Sequence, residues 1–187
     1  MRATTILCWM SLTAAAAAVV DRIAVTVGHD AITESEVLEE IRVTQFLNSA
    51  PLDFSSTARR AAAERLVDQY LIRHELESGA YPQPDAAQVA QVLQDFEKQH
   101  FRGHAEFEQK LKQYGITEDE LKEHLLFQIA ALRFTDLRFN TGPEGEADRT
   151  ASGSTAATED GVDARLDSWL KQVRSQTRIE FKKEALQ

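Results

Sequence analysis

The sequence has one short run of strand-forming residues near each end and a helical pattern almost everywhere between them. Residues 22–27 are rich in β-branched side chains and end at Gly28, and residues 177–182 alternate apolar and polar side chains at period two. A lone strand leaves backbone N–H and C=O groups without partners, which is costly in a folded protein. No third candidate strand stands out. We therefore expect a small two-stranded sheet, formed by the N- and C-terminal strands, that closes one mostly α-helical domain.

The first 18 residues have the pattern of an export signal. Arg2 supplies a positive charge, residues 6–20 are apolar or small, and residues 16–18 offer an alanine cleavage site. The apolar run ends at Asp21 and is short for a membrane span of about 20 residues. We predict a cleaved signal peptide at 1–18 and an exported mature protein with no stable membrane insertion. An uncleaved anchor is the alternative.

Composition limits what the mature chain can be. No cysteine remains after residue 18, so an exported protein of this sequence has no disulfide and needs an ordinary hydrophobic core. A chain of this length can bury one such core. The formal net charge is −9, and loss of Arg2 with the signal would make it −10. A charge of this sign argues against nucleic acid and anionic lipid as partners.

Two segments begin with the same helix-start motif, at residues 32–37 and 116–121. In each, Ile precedes Thr, and Glu follows three positions after the Thr. The Thr side chain can accept a hydrogen bond from the third helical amide while the Glu reaches back to the cap N–H. Together with the helical spacing of apolar residues, these starts predict helices at about 34–47, 57–78 and 117–139. They also predict one helix that begins at Pro84, one that ends at Gly115 and one that follows residue 162.

Residues 140–161 differ from the rest of the chain. They contain Pro143, four glycines and no apolar residue larger than alanine. Such a segment cannot bury enough surface to offset the entropy of ordering it. We predict a disordered linker at 140–161, between a helical body at 19–139 and a C-terminal helix and strand at 162–187 that complete the same domain.

The sequence contains no pattern that predicts catalysis or metal binding. His100 and His104 are four residues apart, but Gly103 interrupts that helix and no cysteine completes a zinc site. The glutamates at the helix starts are explained by helix electrostatics, and no nucleophile motif or phosphate-binding glycine loop is found. We therefore expect no catalytic residues, no metal and no cofactor.

The remaining candidates for function are apolar residues at helix ends and connections that the helical stripes do not require. A surface that binds many polypeptides must keep apolar side chains exposed. Five residues meet this description, and we predict a peptide-binding surface from them: Phe46, Leu47, Phe54, Phe101 and Phe139. The alternative is that each one caps the core, because apolar residues are usually buried.

The order of these features resembles the SurA-type periplasmic chaperones, a family related to parvulin-containing foldases. The residues that carry the resemblance are 20–27 with 32–37, 65–72, 107–121, Leu166, Trp169, Leu170 and 179–181. In that family one or two parvulin prolyl isomerase domains stand where this chain has only residues 140–161. A segment of that length is too short to fold as a catalytic domain.

The resemblance implies a periplasmic chaperone module without its isomerase domain. Such a protein would bind unfolded or extended segments of exported polypeptides, including outer-membrane proteins, without ATP and without prolyl isomerase activity. Two alternatives stay open: a dedicated interaction subunit of a cell-envelope complex, and a divergent peptidyl-prolyl isomerase.

Overall fold

The computed structural model describes residues 21–79, 81–140 and 159–187. The predicted signal peptide and residues 141–158 of the predicted linker lie outside this range. The described chain is mostly helical with a small antiparallel sheet, as the sequence predicts. Its elements are β1 (Ile23–Val27), β2 (Asp30–Thr33), α1 (Glu34–Leu47), α2 (Ser56–Ser78), α3 (Ala86–His100), α4 (His104–Tyr114), α5 (Glu118–Thr135), a π-helix (Asp136–Asn140), α6 (Glu159–Gln176), β3 (Ile179–Phe181) and a 3₁₀ turn (Lys183–Ala185).

The sheet has three strands rather than the predicted two. β1 lies in the middle and pairs antiparallel with β2 on one side and with β3 on the other. The predicted pairing of the terminal strands is confirmed, with Val25 opposite Phe181. The expectation that no third strand exists is wrong, because β2 follows β1 directly in a hairpin.

The hairpin depends on a two-residue turn. Gly28 and His29 connect the paired residues Val27 and Asp30, and Gly28 has a φ of 63°. A hairpin turn with positive φ at its first position favours glycine. Gly28 therefore reverses the chain into a second strand, whereas the sequence pattern suggested only that it ended the first.

The helices begin close to where the sequence predicts them, with two exceptions. Thr33 and Thr117 form the predicted capping boxes with the glutamates three residues later. Asp85 caps α3 in the same way with Gln88, so Pro84 precedes the cap instead of lying in the first helical turn. At the C-terminal end of the chain, α6 begins at Glu159, so residues 159–161 belong to this helix and not to the predicted linker.

Three clusters of apolar side chains hold the elements together. The first joins the sheet to α1 and α2, and the second joins the end of α1 to α3, α4 and the start of α5. The third joins the end of α2 to the second half of α5, the π-helix and α6. Each of α1, α2 and α5 therefore contributes to two clusters, and these three helices connect the core from end to end.

Polar contacts attach the C-terminal helix to α2. The Arg174 guanidinium donates to the Asp68 carboxylate at 2.7 Å, to the Glu64 carboxylate at 2.8 Å and to the Glu64 carbonyl at 2.9 Å. Partial burial acts to raise the pKa of Glu64, but hydrogen bonds from Arg174 and Arg60 outweigh it and lower that pKa. This arginine therefore helps to bring β3 back to the edge of the central strand β1.

Replacement of Arg174 by alanine should lower the free energy of unfolding by about 2 kcal/mol, because several charge-assisted hydrogen bonds are lost together. The matched control is Arg178→Ala, which removes an arginine whose side chain is mostly exposed and pairs with Glu180. An exposed pair of this kind contributes about 0.5 kcal/mol. Urea denaturation of both variants measures the difference, and equal losses would contradict the anchoring role of Arg174.

Candidate functional site

A buried carboxylate lies where α1, α2 and α5 meet. Glu40 is the one charged residue that is buried among the described residues. Its carboxylate accepts hydrogen bonds from Arg65 Nε at 2.9 Å, Thr44 Oγ1 at 3.0 Å and Gln69 Nε2 at 3.2 Å. A buried charge is tolerated when it is paired and hydrogen-bonded in this way. The network therefore fixes α1 against α2 from inside the protein.

His124 on α5 lies beside this network. Its Nδ1 atom lies 3.7 Å from Glu40 Oε2, and its Nε2 atom lies 2.8 Å from the Gln128 side-chain amide. Burial lowers the pKa of His124 below 6.5, and Arg73 and Arg65 add to that effect, while Glu40 opposes it. Burial therefore favours the neutral form of the ring.

A cleft of about 200 Å³ opens above these groups, and we call it the acidic cleft. Glu40, Gln69, His124 and Arg73 line it, together with four further carboxylates: Glu36, Glu39, Glu120 and Glu123. Burial raises the pKa of Glu39, and the neighbouring carboxylates of Glu120 and Glu123 raise it further. The cleft therefore holds several negative charges close to one another.

Two of these carboxylates are placed by the helix starts. Glu36 and Glu120 occupy the third position of α1 and α5, where each accepts a hydrogen bond at 2.6 Å from the backbone N–H of its cap residue. Because α1 and α5 both begin beside the cleft, their capping glutamates face the same space. Glu39 and Glu123 lie one turn further along the same two helices.

An apolar depression adjoins the acidic cleft and is divided by one exposed leucine. Leu126 on α5 is 41 % exposed. It lines a space of about 320 Å³ towards α3 and a space of about 340 Å³ towards α2. We call both spaces together the Leu126 groove, whose apolar lining is Leu76, Ala86, Val89, Ala90, Leu126, Phe127 and Ala130. Glu123 lines both spaces and the acidic cleft as well.

Two of the five predicted peptide-binding residues belong to the core. Phe46 is 3 % exposed and packs against Phe101 and Tyr114, with ring centroids 5.9 and 5.5 Å away. Phe139 is 1 % exposed and packs on Phe134. Their predicted exposure is wrong, because α4 covers the end of α1, and α6 covers the π-helix.

The other three predicted residues do not form one surface. Leu47 and Phe101 are half-buried against the second apolar cluster. Phe54 is 37 % exposed on the loop between α1 and α2, where the Arg42 guanidinium lies 5.7 Å from its ring centroid. None of the five lines the Leu126 groove. Whether Leu47, Phe54 or Phe101 contacts a peptide stays a prediction.

The groove residue that the sequence analysis missed is Leu126. The apolar row of α5 includes Leu121, Leu125 and Ile129 at helical spacing, and Leu126 extends that row sideways. The apolar surface of α5 is therefore wider than a single helical stripe, and this width is the signal that could have identified Leu126 as a candidate. The sequence of α5 does not show which side of this apolar surface another helix covers.

Phe46→Ser should destabilise the protein by at least about 3 kcal/mol, because it removes a buried aromatic ring that contacts four others. Phe54→Ser, the matched control on the adjacent loop, should cost less than about 1 kcal/mol. Both values come from urea denaturation followed by circular dichroism. A stable Phe46→Ser protein would mean that this residue lies at the surface.

Stability should fall as the pH is lowered below about 6.5, in part because of His124. Its pKa is lower in the folded protein than in the unfolded chain, so unfolding takes up a proton between those two values. The free energy of unfolding therefore decreases as pH falls from 6.5 to the folded-state pKa. His124→Gln should show a smaller decrease over that interval than the wild type. Parallel curves for the two proteins, measured by urea denaturation at each pH, would contradict this assignment.

Within the described residues, no helix is both long and apolar enough to cross a membrane. The same residues include no group of three or more His, Cys, Asp or Glu side chains placed to hold a metal ion. No protein-family model matches the sequence, and no curated protein matches it either.

Proposed function

We propose that this chain is a SurA-type chaperone-like protein that binds unfolded or extended segments of exported polypeptides, including outer-membrane proteins, in the periplasm. It acts without ATP and without prolyl isomerase activity. The observation that supports this proposal most directly is the Leu126 groove. An apolar depression between three helices offers contact to side chains of many shapes.

The surroundings of the groove suit a binding protein that stays soluble. Arg73, Glu77, Lys122 and Glu123 line it alongside the apolar residues. Charged side chains around an apolar surface limit self-association while leaving the surface accessible. A holdase needs this combination, because it must present apolar area to clients without aggregating itself.

The packing of the groove walls also supports the proposal. Val89 on α3 and both Phe127 and Ala130 on α5 are buried residues that form the walls of the groove. α3 and α5 pack directly on each other beside it. A preformed groove loses little conformational entropy when a segment binds, so even a few apolar contacts give measurable affinity.

The purified protein should slow the aggregation of an unfolded outer-membrane protein at stoichiometric ratios. Leu126→Ser should weaken this protection about fivefold, because about half a leucine side chain of contact area is lost. The control is Leu132→Ser on the same helix, since Leu132 is 71 % exposed and does not line the groove. Light scattering reports aggregation, and circular dichroism verifies that both variants keep their helices.

If neither the wild type nor any variant slows aggregation, the chaperone proposal is overturned. Equal losses in Leu126→Ser and Leu132→Ser would place the binding surface elsewhere. The wild type should also leave the isomerisation rate of a proline-containing tetrapeptide unchanged, and an accelerated rate would favour a divergent isomerase.

A further inference from the structure

We propose that the Leu126 groove and the acidic cleft act together, and that the segments they bind are apolar stretches flanked by lysine or arginine. This inference rests on the proposed function and names the class of client that the same surface selects. The groove would take the apolar side chains, and the cleft would take the neighbouring ammonium or guanidinium group.

The two spaces lie close enough for one extended segment to contact both. Glu123 lines the acidic cleft and both parts of the groove, and Arg73 lines the cleft and the part towards α2. On α5, Glu123 precedes Leu126 by three residues, and residues at this spacing are neighbours on a helix surface. A strand advances about 3.3 Å per residue, so apolar and basic side chains a few residues apart could reach the two spaces.

Two carboxylates of the cleft have no close cationic partner among the residues that the structure describes. Among the described residues, neither Glu39 nor Glu123 forms an ion pair within 4 Å. The nearby cations have other contacts. Arg65 pairs with Glu40, Lys122 pairs with Glu118, and the Arg73 guanidinium lies 4.8 Å from the centroid of the Phe127 ring.

Mutual repulsion within the cleft favours a cationic ligand. Burial and the carboxylates of Glu120 and Glu123 raise the pKa of Glu39, which means that its charged form is disfavoured in the free protein. A cation placed among these groups would relieve the repulsion and donate hydrogen bonds to several carboxylate oxygens. An acidic flank would add to the repulsion instead.

Three fluorescent peptides test the inference. All three share the same apolar centre of Leu, Phe and Val, and they differ in the flanking residues, which are Lys in the first, Gln in the second and Glu in the third. Fluorescence anisotropy with the full chain gives the dissociation constant of each. The Lys-flanked peptide should bind about tenfold more tightly than the Glu-flanked one at low salt. At 0.5 M NaCl the ratio should approach one, because screening weakens interactions between partly exposed charges.

A charge reversal in the cleft provides the matched comparison. Glu39→Lys places an ammonium beside Glu120 and Glu123, so the ratio of Lys-flanked to Glu-flanked affinity should fall from about tenfold to about twofold or less. Glu184→Lys makes the same change in net charge at an exposed residue outside the cleft and the groove. It should keep the ratio of the wild type.

The outcomes separate the two proposals. If all three peptides bind with equal affinity, or if Glu184→Lys lowers the ratio as much as Glu39→Lys, the charge inference is overturned while the proposed function stands. If none of the peptides binds, both are overturned. Sedimentation of the wild type as a dimer that Leu126→Ser dissociates would assign the groove to a second copy of the chain and would also overturn the inference.

Discussion

The hydrogen-bonded charge of Glu40 is the interaction on which the arrangement of α1 and α2 depends. Burying a carboxylate costs several kcal/mol unless it is fully paired, so Arg65 and Gln69 on α2 must stay close to α1. The apolar clusters on either side could accept small sliding motions of these helices. Hydrogen bonds from two side chains of α2 to one buried carboxylate are directional, so they resist such sliding and help the cleft to keep its shape.

The sequence predicted the closure of the domain but not the sheet in detail. Period-two alternation in β3 and β-branched residues in β1 identified both terminal strands, and their pairing follows from the need to satisfy backbone groups. β2 has only Ile32 as a large apolar residue, so composition gave no signal for it. Its pairing is imposed by the turn at Gly28, which is a local backbone property rather than a hydrophobic pattern.

The candidate site was harder to predict, and the reason lies in how helices pack. The periodicity of α1 places Phe46 in its apolar stripe. Whether Phe46 is buried depends on α3 and α4, which come from distant parts of the sequence. Leu126 lies on an equally apolar helix and stays exposed, because α2 and α3 pack against the two sides of α5 without covering its centre. The sequence therefore shows which residues are apolar, whereas the exposure of each one depends on how three helices pack together.

The charge of the acidic cleft has two origins with different constraints. Glu36 and Glu120 complete capping boxes, so each stabilises the start of its helix whether or not the cleft binds anything. Glu39 and Glu123 have no capping role, and they place further negative charge beside the first two at a cost that the raised pKa of Glu39 reflects. The proposed recognition of a basic group would account for the cleft being more acidic than its helix starts require.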